Sequence, residues 1–129
     1  PNMTNSSLAD LFPRPSDEAR DRRRAQLVLR GIAVLRFGWD DYRYQWSTGE
    51  VVAVAALVED NEVLKDLNET FDTAYRRWAY DLWGMADAQT DEAAGLPETR
   101  NWFAQRTVEI YRALRDEEFE NQFREIRGW

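Results

Sequence analysis

The sequence predicts an all-α fold: a single compact domain of five to six helices over residues 16–129, behind a mobile N-terminal arm over 1–15. Three observations lead there. Apolar residues recur at helical spacing in several long stretches. Capping residues (Ser16, Ser47, Thr70) stand just ahead of those stretches. Strand-like alternation is confined to Tyr42, Tyr44 and Trp46. A chain of 129 residues is long enough to bury a core without disulfides or metal.

In the arm, Pro1 and Asn2 ahead of Met3 are expected to be a cloning remnant, and Asn5, Ser6, Ser7, Pro13 and Pro15 are poor core material. Leu8, Leu11 and Phe12 interrupt it at i, i+3, i+4, one helical turn with Ser7 as N-cap. Ser16 opens a helix over 17–37, with Asp17 and Glu18 in its first turn and Gly38 as its stop. Ala25, Val28, Leu29, Ile32 and Leu35 form its apolar face, Leu27 and Val34 widen it, and Gly31 weakens its middle. After an aromatic connection over 39–46, Ser47 and Glu50 read as a capping box. The following Val51–Val58 run is apolar on every side, and its alanines favour a buried helix over 48–59. A hairpin from Tyr42 to Val54 is the rival.

A short helix is expected over 61–67, with Asn68 or Thr70 capping the next. Phe71, Ala74, Tyr75, Trp78, Leu82, Met85 and Ala86 then make the clearest amphipathic stripe of the chain. It is expected to end near 87–90, with 90–97 a loop. Pro97 suits the first turn of a last helical region, where Trp102, Phe103, Thr107, Ile110, Tyr111 and Leu114 continue the period. The phase slips before Phe119, Phe123 and Ile126, so Asp116 is expected to begin a separate final helix.

The segment Trp46-Ser47-Thr48-Gly49-Glu50, followed by Val51–Val58, Glu59-Asp60, Val63-Leu64 and a capped helix, resembles a stretch of small uncharacterised helical proteins of actinobacteria and their phages. The resemblance covers about a third of the chain. It implies a helical accessory protein of mobile-element origin and carries over no activity and no site residues.

The composition narrows function. There is no His and no Cys, which removes the usual groups for acid–base, nucleophilic and transition-metal chemistry. The serines have no base to activate them, and no Gly-rich phosphate motif is present. Six Trp, five Tyr and six Phe point instead to packing and contact surfaces. A net charge of −7, concentrated between Tyr44 and Gln105, disfavours nucleic acid as a partner. The basic run Arg20, Arg22, Arg23 and Arg24 is interleaved with Asp17, Glu18 and Asp21, so solvated i,i+4 pairs such as Glu18–Arg22 are expected. No apolar run approaches the roughly 20 residues of a membrane span, and the start lacks a signal-peptide layout. A cytoplasmic protein without a membrane partner is expected.

The leading expectation is a small acidic, non-enzymatic protein-interaction module with no cofactor and no catalytic residue, binding a protein partner. Tyr80 and Trp83 fall away from the buried stripe centred on Phe71, on the side that carries Arg76. Tyr80, Trp83 and Arg76 are therefore the candidate contact patch. Leu8, Leu11 and Phe12 are a second contact, and Asp10-Leu11-Phe12 is similar to the close of bacterial sliding-clamp binding peptides, without their opening Gln and Leu. Docking of this arm on the protein's own core or on a second copy is the competing expectation. One alternative is a Mg²⁺-dependent nucleotide hydrolase with metal ligands Glu59, Glu62, Glu69 and Asp72, spaced as Glu-x-x-Glu and Glu-x-x-Asp. This pattern is similar to that of helical nucleotide pyrophosphohydrolases, although their pairs lie farther apart in sequence. The other alternative is a self-associating structural protein, a homo-oligomer.

Overall fold

The computed structural model describes residues 14–127, with the backbone alone at 119, 123 and 125–127. Among the described residues there are six α-helices and no strand: α1 (Asp17–Phe37), α2 (Thr48–Leu57), α3 (Asn61–Asp66), α4 (Phe71–Trp83), α5 (Met85–Ala93) and α6 (Pro97–Arg127). They form the compact all-helical arrangement expected from the periodicity. The arm, with Leu8, Leu11 and Phe12, lies almost wholly outside the described residues.

Helix α2 is the centre. Every residue from Val51 to Val58 is buried, as an all-round apolar helix must be. Its start is the capping box: the Ser47 hydroxyl accepts from the Glu50 amide, and the Glu50 carboxylate accepts from the Ser47 amide. The hairpin over Tyr42–Val54 is thereby replaced by a turn and a helix. In that turn Tyr42 stacks on Trp46 with centroids 5.0 Å apart. Helices α1, α3, α4 and α6 pack around α2. Asp60 caps α3 by accepting from the Val63 amide at 3.1 Å, and Thr70 caps α4.

Helix α1 occupies the expected span, with the Ser16 hydroxyl accepting from the Ala19 amide and Gly38 closing the end. Its buried line, however, is Leu27, Gly31 and Val34, while Leu29 is 67% and Leu35 38% exposed. The phase is set by Gly31. A Cβ there would lie 2.5 Å from Ile110 Cδ1, so α6 comes close to α1 where α1 lacks a side chain. Arg24 meets Glu109, Gly31 meets Ile110 and Arg36 meets Glu117. The numbers rise together, so the two helices run in the same sense.

Two boundaries differ from the expected ones. Helix α4 ends at Trp83, because Gly84 takes φ 84°, ψ 168°, a conformation open essentially to glycine alone. Met85 and Ala86 therefore begin α5, which runs to Ala93 through residues 90–93 of the expected loop. Helix α6 is continuous through Asp116 to Arg127, with no separate final helix. The side chains of Phe119, Phe123 and Ile126 lie outside the described residues.

Candidate binding surface

The C-terminal end of α2 is where the surface opens. The chain leaves it through Glu59, which is exposed and holds φ 58°. That left-handed conformation costs a residue with a Cβ roughly 1–3 kcal/mol. Here it turns the chain sharply enough for the Asp60 amide to reach back to the Ala55 carbonyl at 2.8 Å. Glu59 forms the ridge between two grooves of about 430 Å³ each.

The first groove runs between α4 and α6 over Phe71, Tyr75, Phe103 and Ala104. Tyr75 leans on Phe103 with centroids 5.0 Å apart. Arg100 lies over the Tyr75 ring at 5.4 Å and is held there by Asp72 at 2.6 Å and the Gly95 carbonyl at 3.0 Å. Burial raises the Tyr75 hydroxyl above the usual phenol range; Arg100 opposes the shift, and Glu59 and Asp72 add to it. The second groove lies between the end of α1 and the start of α3, over Val34, Leu35, Trp39 and Val58. The Trp39 indole N–H donates to the Asp60 carboxylate at 2.9 Å, which fixes the ring as a wall. The rim carries Glu59, Asp60 and Glu62, and no cation lines it among the described residues.

The four acids of the hydrolase reading are dispersed. Glu69 accepts from the Thr73 hydroxyl and pairs with Arg77, Asp72 is taken by Arg100, and Glu59 and Glu62 edge the grooves. Among the described residues no group of three or more His, Cys, Asp or Glu is disposed to hold a metal ion.

The expected aromatic patch is only partly gathered. Tyr80 is 39% exposed, but Arg76 is paired with Glu92 at 3.2 Å. Trp83 is half-buried: its indole N–H donates to the Thr99 hydroxyl at 3.0 Å, and Arg20 covers its ring at 5.7 Å. Trp83 lies off the Phe71 stripe of α4 and packs against the core as a partly buried side chain. Its cover comes from α1 and α6, which the periodicity of α4 cannot register. The basic run is also used differently from the expected Glu18–Arg22 pairing. Arg20 binds Asp17 and the Pro15 carbonyl, Arg23 lies over Trp78 at 5.2 Å, and Arg24 crosses to Glu109.

Sequence reasoning overlooked Trp39, Tyr75 and Arg100 as surface features. The one usable signal was Trp39, a large aromatic directly after the Gly38 stop, where no helix face was available to bury it. Among the described residues no helix is long and apolar enough to cross a membrane. No family model, no curated protein and no solved structure matches this chain.

Proposed function

We propose that this is a non-enzymatic interaction module that takes a basic, apolar-rich segment of another protein across the ridge at Glu59. The observation that carries it is the meeting of two grooves at one end of α2: the second has the acidic rim Glu59, Asp60 and Glu62, and the first shares Glu59 and has an aromatic floor whose cation, Arg100, is already paired with Asp72. Apolar floors favour burial of large side chains, and Glu59, Asp60 and Glu62 favour Lys or Arg between them. The Trp39–Asp60 bond supplies a preformed wall, which lowers the ordering cost of binding. The test uses a helical peptide of alternating Leu and Lys pairs, with a Leu/Glu peptide of the same length as control. Amide and indole NMR shifts should move at Trp39, Glu59, Glu62 and Tyr75 with the Lys peptide alone. Glu59→Lys/Glu62→Lys should weaken binding at least about tenfold, and added salt should weaken it further. Shifts confined to other faces, or equal binding by the variant, would end this reading.

Self-association is the second reading, favoured by one observation. Leu29 and Phe37 are 67% and 66% exposed and lie two turns apart on the outer face of α1, with Ala33 between them. A dimer through this face predicts a mass by light scattering that doubles with concentration and returns to the monomer in Leu29→Glu/Phe37→Glu. A concentration-independent monomer disposes of it.

A further inference from the structure

The grooves at Glu59 call for a basic, apolar-rich segment, and this chain exposes one. The outer face of α1 carries Leu29 and Phe37, 67% and 66% exposed. At about 3.6 residues per turn, Arg22, Leu29, Ala33 and Phe37 fall within about 80° of one another. That face points away from Gly31 and Val34, which are buried. Its N-terminal part is basic. Arg22 and Arg23 border an open groove with Ala19 and Gln26, and Glu50 is the one acid lining it among the described residues. Glu50 is already held by Arg30 and by the Ser47 hydroxyl. The positive charge of Arg22 and Arg23 is therefore left uncompensated in that groove.

We propose that the outer face of α1 docks into the Glu59 grooves of a second copy of this chain, an inference that rests on those grooves being a docking site. Leu29 and Phe37 lie about 12 Å apart along α1, two anchors for two grooves on either side of one ridge. Phe37 matches the aromatic floor of Phe71, Tyr75 and Phe103, and Leu29 matches the floor of Val34, Leu35 and Val58. Ala33, between the anchors, leaves room for the Glu59 ridge. Arg22 follows about 10 Å beyond Leu29, on the side of the rim formed by Glu59, Asp60 and Glu62. Copies with a net charge of −7 repel one another in most orientations. Bringing the basic part of α1 to the acidic rim selects the orientation in which they attract. The two surfaces are different patches of one molecule, so the contact is heterologous and not a pairing of α1 with α1.

Two variants separate the halves of this contact. Glu59→Lys/Glu62→Lys spoils the grooves and leaves α1 intact, and Leu29→Glu/Phe37→Glu does the reverse. All four positions are exposed, so both variants should keep the helical circular dichroism of the wild type. Wild-type mass by light scattering should rise with concentration, and each variant alone should stay a monomer. An equimolar mixture of the two variants should double in mass. The Trp39 indole N–H resonance of the α1 variant should shift in that mixture. A wild type or a mixture that stays monomeric overturns the proposal. The Leu/Lys peptide then tells which inference failed: if it still moves Trp39 and Glu59, the grooves serve another protein, and if it does not, the docking site fails as well. Self-association by the groove variant alone also overturns the proposal, since α1 would then pair with α1.

Discussion

The residue that does most for the least signal is Asp91. It is 5% exposed, and its two carboxylate oxygens accept from the Glu98 amide at 2.9 Å, the Thr99 amide at 3.0 Å and the Thr99 hydroxyl at 2.6 Å. Helix α6 needs this. Pro97 stands at its first position, and Leu96 before it has φ 63° and no polar side chain to cap with. The orphan amides at the start of the helix must find an acceptor elsewhere, and the end of α5 supplies it. Thr99 passes the chain of bonds on to the Trp83 indole. Removing the carboxylate loses a cap and strands buried donors together, so Asp91→Ala should cost about 3 kcal/mol in urea unfolding. Thr99→Val, which leaves the Asp91 cap to two amides, should cost about 1–2 kcal/mol. A cost under about 1 kcal/mol for Asp91→Ala would mean water replaces it, against its burial. In the sequence Asp91 is one acid among many between Tyr44 and Gln105. What could have separated it is the apolar residue at the N-cap of a Pro-led helix.

Elements were legible where local chemistry decides them, and less so where a neighbour does. The starts at Ser16 and Ser47 follow from side chains bonding their own backbone and the stop at Gly38 from a positive φ of 84°, so sequence alone places them; at α4 the sequence leaves Asn68 and Thr70 open, and Thr70 is the cap. The break at Gly84 was hidden because the apolar stripe of α4 runs on in phase through Met85 and Ala86. The face of α1 is rotated from the expected one: periodicity centres it on Val28 and Ile32, with Leu29 and Leu35 at its edges, whereas the approach of α6 shifts it toward Leu27, Gly31 and Val34, and Val28 and Ile32 are left partly buried. In the middle of an isolated helix Gly31→Ala would be worth about 1 kcal/mol in favour of alanine. Here the new methyl meets the fully buried Ile110, and overpacking costs about 1–3 kcal/mol. Gly31→Ala should therefore be neutral to destabilising in the wild type. Made in Ile110→Val, where Cδ1 is gone and only Cγ1 stays close at 3.2 Å, it should be more favourable than in the wild type by about 1 kcal/mol or more. A double-mutant cycle by urea denaturation reads the coupling. Equal effects in both backgrounds would mean the α1–α6 crossing is not set by glycine.

At the scale of the molecule, the surplus of aromatics and the surplus of arginines answer each other. Arg20, Arg23 and Arg30 of α1 lie over Trp83, Trp78 and Trp46, and Arg106 lies over Trp102. These partners are far apart in sequence or on different elements, apart from Arg106 and Trp102, so composition registered both sets without revealing that one covers the other. The same is true of the candidate grooves: their apolar residues were legible as core, but their opening at Glu59 depends on where α1, α3, α4 and α6 stop around α2. Ion pairs then tie α1 to α6 along their shared direction, with Glu109 receiving both Arg24 and Arg106 and Arg36 paired with Glu117. The hydrogen bond from Arg24 holds the Glu109 carboxyl below the usual glutamate range; burial opposes the shift, and Arg106 reinforces it. A carboxylate depressed in the folded state stabilises the fold above its unfolded pKa, near 4.3. That contribution fades as pH falls through the lower folded value, because protonation then favours the unfolded chain. Glu109→Gln should therefore be less stable than the wild type at pH 7 by an amount that stays constant down to about pH 5 and shrinks below about pH 4. Urea midpoints for both proteins from pH 2.5 to 7 measure the difference, which cancels the carboxylates the two share. A gap that widens on acidification would place the Arg24 clasp outside the interactions that hold α1 against α6.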